Sequence, residues 1–329
     1  MSDPEILPST EPAVPPASPL SGRIFRGPNG IRAGWRVLIF LAIALLLVLA
    51  VSAGLRIFTH GRARVGVQVS GITPLGLCLI EGPLLLLTVI PALVMARIER
   101  RKFGQYGLPA RSAFGKDFWI GTVVGFLAIG TALLFIFALH GFRLTGIAIQ
   151  GSTIVASAAE WGAAFVLVGL AEEFSFRGYL QFTLTTGIGY WPSAILLSLL
   201  FGAAHSGNPG ESRFGLFSVV LFGLLFCLFL RRRGNLWWAV GFHAGWDWGQ
   251  TFFYGVPDSG IPAFHSLFNC SFSGPQWLTG GSVGPEASIF TPIVLAIVAI
   301  LFSRAYCENR YQIQASDLRL RAKGPAADA

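Results

Sequence analysis

Apolar stretches long enough to cross a bilayer recur along this chain, and that recurrence leaves few folds open. A helix needs about 20 predominantly apolar residues to span the hydrocarbon core. Eight such stretches are read from the sequence, at roughly 35–58, 72–98, 118–140, 160–184, 191–205, 214–230, 236–254 and 287–306. Only 12% of the 329 residues are charged. A water-soluble domain carries about 25%, so the polar shell of a soluble fold is missing. The expected fold class is an all-α polytopic membrane helix bundle of about eight transmembrane helices.

Lys and Arg cluster at the ends of the apolar stretches. With the N-terminus inside, eighteen fall in inside segments and five in outside ones, and Arg177 lies within a stretch. That is the positive-inside pattern, with both termini cytoplasmic. It also explains the net charge of +8 without a nucleic-acid partner. The expected setting is multi-pass, in a bacterial inner (plasma) membrane. Cys78, Cys227, Cys270 and Cys307 are scattered and form no CxxC, so no disulfide framework is expected.

Residues 1–30 are Pro-rich and polar and are expected to be a disordered cytoplasmic tail. No cleavable signal peptide is evident, and the first apolar stretch reads as a retained span. Residues 31–306 form the expected membrane bundle, with a catalytic core at about 118–254, and 307–329 a polar tail. The outside segment 255–286 holds no Lys or Arg and is rich in Gly, Ser and Pro. It is expected either to cap the outer face or to be irregular.

Charges inside spans are costly, about 2.5–3.5 kcal/mol each on insertion scales, so each needs a reason. The fourth stretch contains EEFSFR: Glu172, Glu173 and Arg177. Glu173 and Arg177 are spaced i, i+4 and can pair along one helix face. Glu172 points about 100° away and lacks that partner. The fifth stretch ends FGAAH, placing His205 after Phe201, and the seventh carries HAGWD, with His243 and Asp247 on one face. Together they supply a free carboxylate, two imidazoles and a second carboxylate. That set suits general-base activation of water by Glu172, oriented by His205, with His243 facing an oxyanion.

The order EEFSFR, FGAAH, HAGWD resembles the EExxxR, FxxxH and HxxxN/D motifs of CPBP-family intramembrane proteases. That family includes the type II CAAX prenyl endopeptidases and bacterial Abi proteins. The resemblance covers about residues 172–247. It implies that Glu172 and His205 activate water, that His243 and Asp247 line the oxyanion side, and that Glu173 and Arg177 support the site. The CAAX endopeptidases carry Asn at the last position, which can donate a hydrogen bond; Asp247 donates only when protonated, and otherwise orients His243 or ligates a metal. The expected substrate is a membrane-embedded peptide or protein, reached through a wet cavity open to the cytoplasm or the bilayer. On cofactors two readings stay open: none, or a divalent metal such as Zn held by His205, His243, Glu172 and Asp247.

Two other classes of function stand beside this one. The same residues suit a catalytically silent scaffold or bacteriocin-immunity-type protein that binds a partner. A transporter with a carboxylate relay would need acidic counterparts in the first three spans, where Glu81 alone is found. Glu81 is weighed towards a structural role.

Overall fold

The computed structural model describes residues 24–27, 30–58, 72–208, 210–262 and 264–311. The Pro-rich tail expected over 1–30 lies almost wholly outside them, as does the C-terminal tail beyond Tyr311. A minimal ladder, β1 (Arg26–Gly27) against β2 (Gly30–Ile31), precedes α1 (Ala33–Phe58). Then follow α2 (Pro74–Ile98), α3 (Lys116–Ala138), β3 (Phe142–Ile147), α4 (Thr153–Arg177), α5 (Tyr179–Ile188), α6 (Tyr190–Ala204), α7 (Arg213–Arg233) and α8 (Trp237–Asp247). A π-helical turn, Trp248–Phe253, continues α8. β4 (Phe268–Phe272), the single-turn α9 (Gln276–Thr279) and α10 (Phe290–Ala305) close the described chain.

Local chemistry explains the main boundaries. The Thr73 hydroxyl accepts from Gly76 N at 3.0 Å, and Pro74 opens α2 where no intrahelical donor is needed. Ser212 caps α7 in the same way, accepting from Gly215 N at 2.9 Å. Gly234, at φ 73°, ends α7 in the left-handed conformation that glycine tolerates. The stretch expected over 160–184 is interrupted: Gly178, at ψ −118°, leaves helical geometry and divides α4 from α5. Hydropathy does not register such a break, because the sequence stays apolar across it.

Among the described residues, five segments are long and apolar enough to cross a membrane: Ala33–Gly54, Pro74–Ile98, Lys116–Ala138, Thr153–Ile188 and Arg213–Arg233. The chain is therefore a multi-pass, mainly helical membrane protein. α6, α8 and α10 are shorter, so length and hydropathy establish five spans rather than eight. α1 turns Leu38, Leu45 and Leu46 outward, as a lipid-facing helix does.

α3 and α8 pack backbone to backbone. A Cβ on Gly125 would sit 2.1 Å from Phe242 O, and one on Gly245 would sit 2.1 Å from Thr122 O. Gly121 and Gly241 make matching approaches to Trp238 O and Phe118 O. Each helix thus presents a GxxxG face to the other, the arrangement that brings membrane helices closest. At the far end of this pair, β3 and β4 form an antiparallel ladder from Phe142↔Phe272 to Ile147↔Phe268, with a register shift between Leu144 and Gly146. Segment 255–286 is folded onto this end, tied by Gly260 N to Val283 O at 3.0 Å and by Ser259 N to Glu286 at 2.9 Å.

Candidate active site

The glycine seam of α8 determines where its polar residues point. His243 lies about 200° around the helix from Gly241, so its side chain leaves the α3 contact and enters the bundle. Asp247, one turn on, shares that face. α4 packs against the same side of α8 through Gly169, whose added Cβ would meet Val240 O at 3.0 Å.

His243 is the hub of the polar cluster. Its Nδ1 lies 3.0 Å from Glu173 Oε1, and a carboxylate can only accept, so Nδ1 carries the proton. Its Nε2 then faces Glu172 Oε2 at 3.6 Å and Asp247 Oδ2 at 3.4 Å. The ring stacks on Phe226, with centroids 5.2 Å apart and planes 12° from parallel. Glu173 also pairs with Arg177 at 3.4 Å, and both side chains are fully buried. Arg177 in turn lies over Phe201, its guanidinium carbon 4.2 Å from the ring centroid, and Phe201 meets the His205 ring edge-on at 4.6 Å. The three sequence motifs are therefore in direct contact: first to third through Glu173 and His243, first to second through Arg177 and Phe201.

His205 ends α6. Its Nδ1 is 2.8 Å from Phe201 O, so Nδ1 donates and the neutral ring presents a lone pair at Nε2. Among the described residues no hydrogen bond or ion pair joins His205 to Glu172. Both instead line one cavity of about 450 Å³ together with His243 and Asp247. The walls are largely apolar: Ile80 and Leu84 from α2, Phe165 and Val168 from α4, Phe222 from α7.

Three further acids face this cavity that no motif signalled. Glu81, from α2, is 9% exposed, and its Oε2 has no hydrogen-bond partner among the described residues. Asp258 and Glu286 come from the 255–286 segment. Burial raises Asp258 to about 6; burial and then the neighbouring Asp258 raise Glu286 to about 8. Oxygens of Asp247, Asp258 and Glu286 come within 4.8 Å of one another. This all-carboxylate group has the donor chemistry of a hard cation, not of zinc. Of the set named for Zn, His243 Nε2 faces Glu172 at 3.6 Å and Asp247 at 3.4 Å, and His205 lines the same cavity.

Residues 154–249 match the family described as Type II CAAX prenyl endopeptidase Rce1-like. The match spans under a third of the chain, and all three motifs fall inside it. The family resemblance drawn from the motifs is thus borne out over this segment, and that family is one of peptide hydrolases. No curated protein matches the chain.

Proposed function

We propose, with the family match over 154–249 as premise, that the cavity is the active site of an intramembrane endopeptidase acting on a membrane-associated peptide or protein. The reading places an eight-span bundle over 31–306, with its catalytic core at about 118–254. The single observation that carries it is the meeting of Glu172, His205, His243 and Asp247, all within the matched segment 154–249, on one partly polar cavity.

The side chains divide the work. Glu172 takes a proton from a water in the cavity, and His205 offers a second acceptor at Nε2. The water oxygen attacks the carbonyl carbon of the scissile amide. The oxyanion that forms lies towards His243 and Asp247; protonated His243 donates from Nε2, and Asp247 donates only in its acid form. The proton held by Glu172 passes to the leaving nitrogen as the C–N bond breaks. Glu173 and Arg177 touch none of the reacting atoms: they hold the His243 ring in orientation. None of these steps passes through a metal.

The test starts from membranes of cells carrying wild type or Glu172→Ala, compared for new peptide ends. A fragment found only with wild type supplies a substrate for purified enzyme. Removing the general base is expected to slow its cleavage by about 10²–10⁴-fold. Glu172→Ala, His205→Ala and His243→Ala all cleaving at the wild-type rate would sink the proposal. A cellular phenotype that survives Glu172→Gln favours a binding protein, and solute flux in proteoliposomes without cleavage favours a carrier.

A further inference from the structure

The two ends of the bundle differ sharply in charge, and the cavity belongs to only one of them. At one end lie Arg36, Arg97, Arg101, Lys116, Arg231 and Arg233, among others. This end is tied together by Arg36–Glu99 and Arg233–Asp117, each at 2.6 Å. At the opposite end the described Lys and Arg residues are Arg56, Arg143 and Arg213.

The cavity is lined from that opposite end. Ile72 and Leu77 stand at the start of α2, Ala204 and His205 at the end of α6, and Asp258 and Glu286 come from the segment that folds over the bundle there. No described residue from the arginine-rich loops lines it. On that side the bundle is closed by a packed layer that includes Tyr106, Phe174, Tyr179, Leu230 and Leu236, each at most 1% exposed. Arg177 is buried between this layer and the cavity, against Phe201.

From these two asymmetries we infer that the cavity opens on the extracytoplasmic side, because the basic end of a membrane bundle is retained in the cytoplasm. This deepens the proposed function and rests on it for the word substrate: the peptide that enters is an extracytoplasmic segment of a membrane protein, or a peptide lodged in the outer leaflet. A cytoplasmic C-terminal tail, prenylated or not, does not reach Glu172 by this route. The sequence alone allowed a cavity open to the cytoplasm or the bilayer. The participation of segment 255–286, which carries no Lys or Arg, is what favours the other side.

Sidedness is measured without any substrate, so its failure is distinct from failure of the protease reading. In a full-length background with Cys78, Cys227 and Cys270 replaced, Ser259→Cys reports the cavity mouth and the native exposed Cys307 reports the basic end. Each is kept as the single thiol of its own variant. Intact spheroplasts are treated with a membrane-impermeant maleimide, before and after permeabilisation, with a denatured sample as the labelling control. The expected result is Ser259→Cys labelled in intact spheroplasts and Cys307 only after permeabilisation. Labelling of Ser259→Cys only after permeabilisation, or only after denaturation, overturns the inference; so does labelling of Cys307 in intact spheroplasts. Activity of solubilised enzyme on a cleaved peptide is a separate readout and does not depend on this outcome.

Discussion

Glu173 accepts the Nδ1 proton of His243 at 3.0 Å. A carboxylate on α4 thereby fixes the rotation of the imidazole ring on α8, and leaves Nε2 to face the cavity. Glu173→Gln keeps the shape but weakens this hold. Cleavage is expected to fall about 10–100-fold, the scale seen when a group that orients a functional histidine is lost. The loss should appear in kcat rather than KM. Both Gln and Ala leave the buried Arg177 charge without its counter-charge, but Gln still offers it a carbonyl acceptor, so Glu173→Ala is expected to cost about 3–5 kcal/mol and Glu173→Gln clearly less. Equal effects of Gln and Ala on both stability and kcat would contradict this division.

Arg177 is held by the Phe201 face as well as by Glu173. Lysine keeps the charge but not the flat guanidinium that lies on the ring. Arg177→Lys is expected to lose about 1–2 kcal/mol in detergent-solubilised thermal unfolding. In a double-mutant cycle with Phe201→Leu the two losses should not add. Strict additivity would show that the stacking contributes nothing.

The α3–α8 seam gives a prediction about packing alone. Gly125→Ala drives a methyl to 2.1 Å from a backbone carbonyl, which side-chain rotation cannot relieve. The expected cost is about 1–3 kcal/mol, the range for overpacked cores. Gly82→Ala, where no described atom lies within 4 Å of the added carbon, serves as the neutral comparison. Equal melting of the two variants would show that the helices separate freely.

Glu286 and Asp258 give the pH dependence. Both are raised by burial, to about 8 and about 6, while an unfolded carboxyl titrates near about 4. The folded state therefore retains protons that the unfolded chain has released. The stability this lends is complete below about pH 4 and is lost as pH rises through about 6 to about 8. Wild-type melting temperature should decline over that window. Glu286→Gln, neutral throughout, should flatten the upper part of the decline. An unchanged slope in the variant would remove Glu286 from the account.

The sequence disclosed the helices best where one rule suffices. The stretch expected at 72–98 is α2, Pro74–Ile98, and that at 214–230 is α7, Arg213–Arg233, because composition alone decides them. Spacing likewise disclosed the Glu173–Arg177 pair, since i, i+4 geometry is local. The Glu173–His243 bond was not legible: it joins residues 70 apart, and its geometry is set by glycines on the far side of α8. Asp258 and Glu286 were missed for a related reason. In an irregular loop a carboxylate has no periodicity to announce it, and only the tertiary fold brings it over α8.

Two prolines in α2 carry a mechanical consequence. Pro83 and Pro91 lie within the helix that walls one side of the cavity. Neither can donate to the carbonyl four residues back, so Leu79 and Leu87 lose those intrahelical partners. The facing structure is built the opposite way, with α8 locked to α3 by backbone contact. If the proposed function holds, a bulky peptide is expected to be admitted by flexing of the proline-softened wall while the α8 wall stays rigid. Spin-label distances between α2 and α7 should broaden with Pro83 and Pro91 intact and narrow in Pro83→Ala/Pro91→Ala.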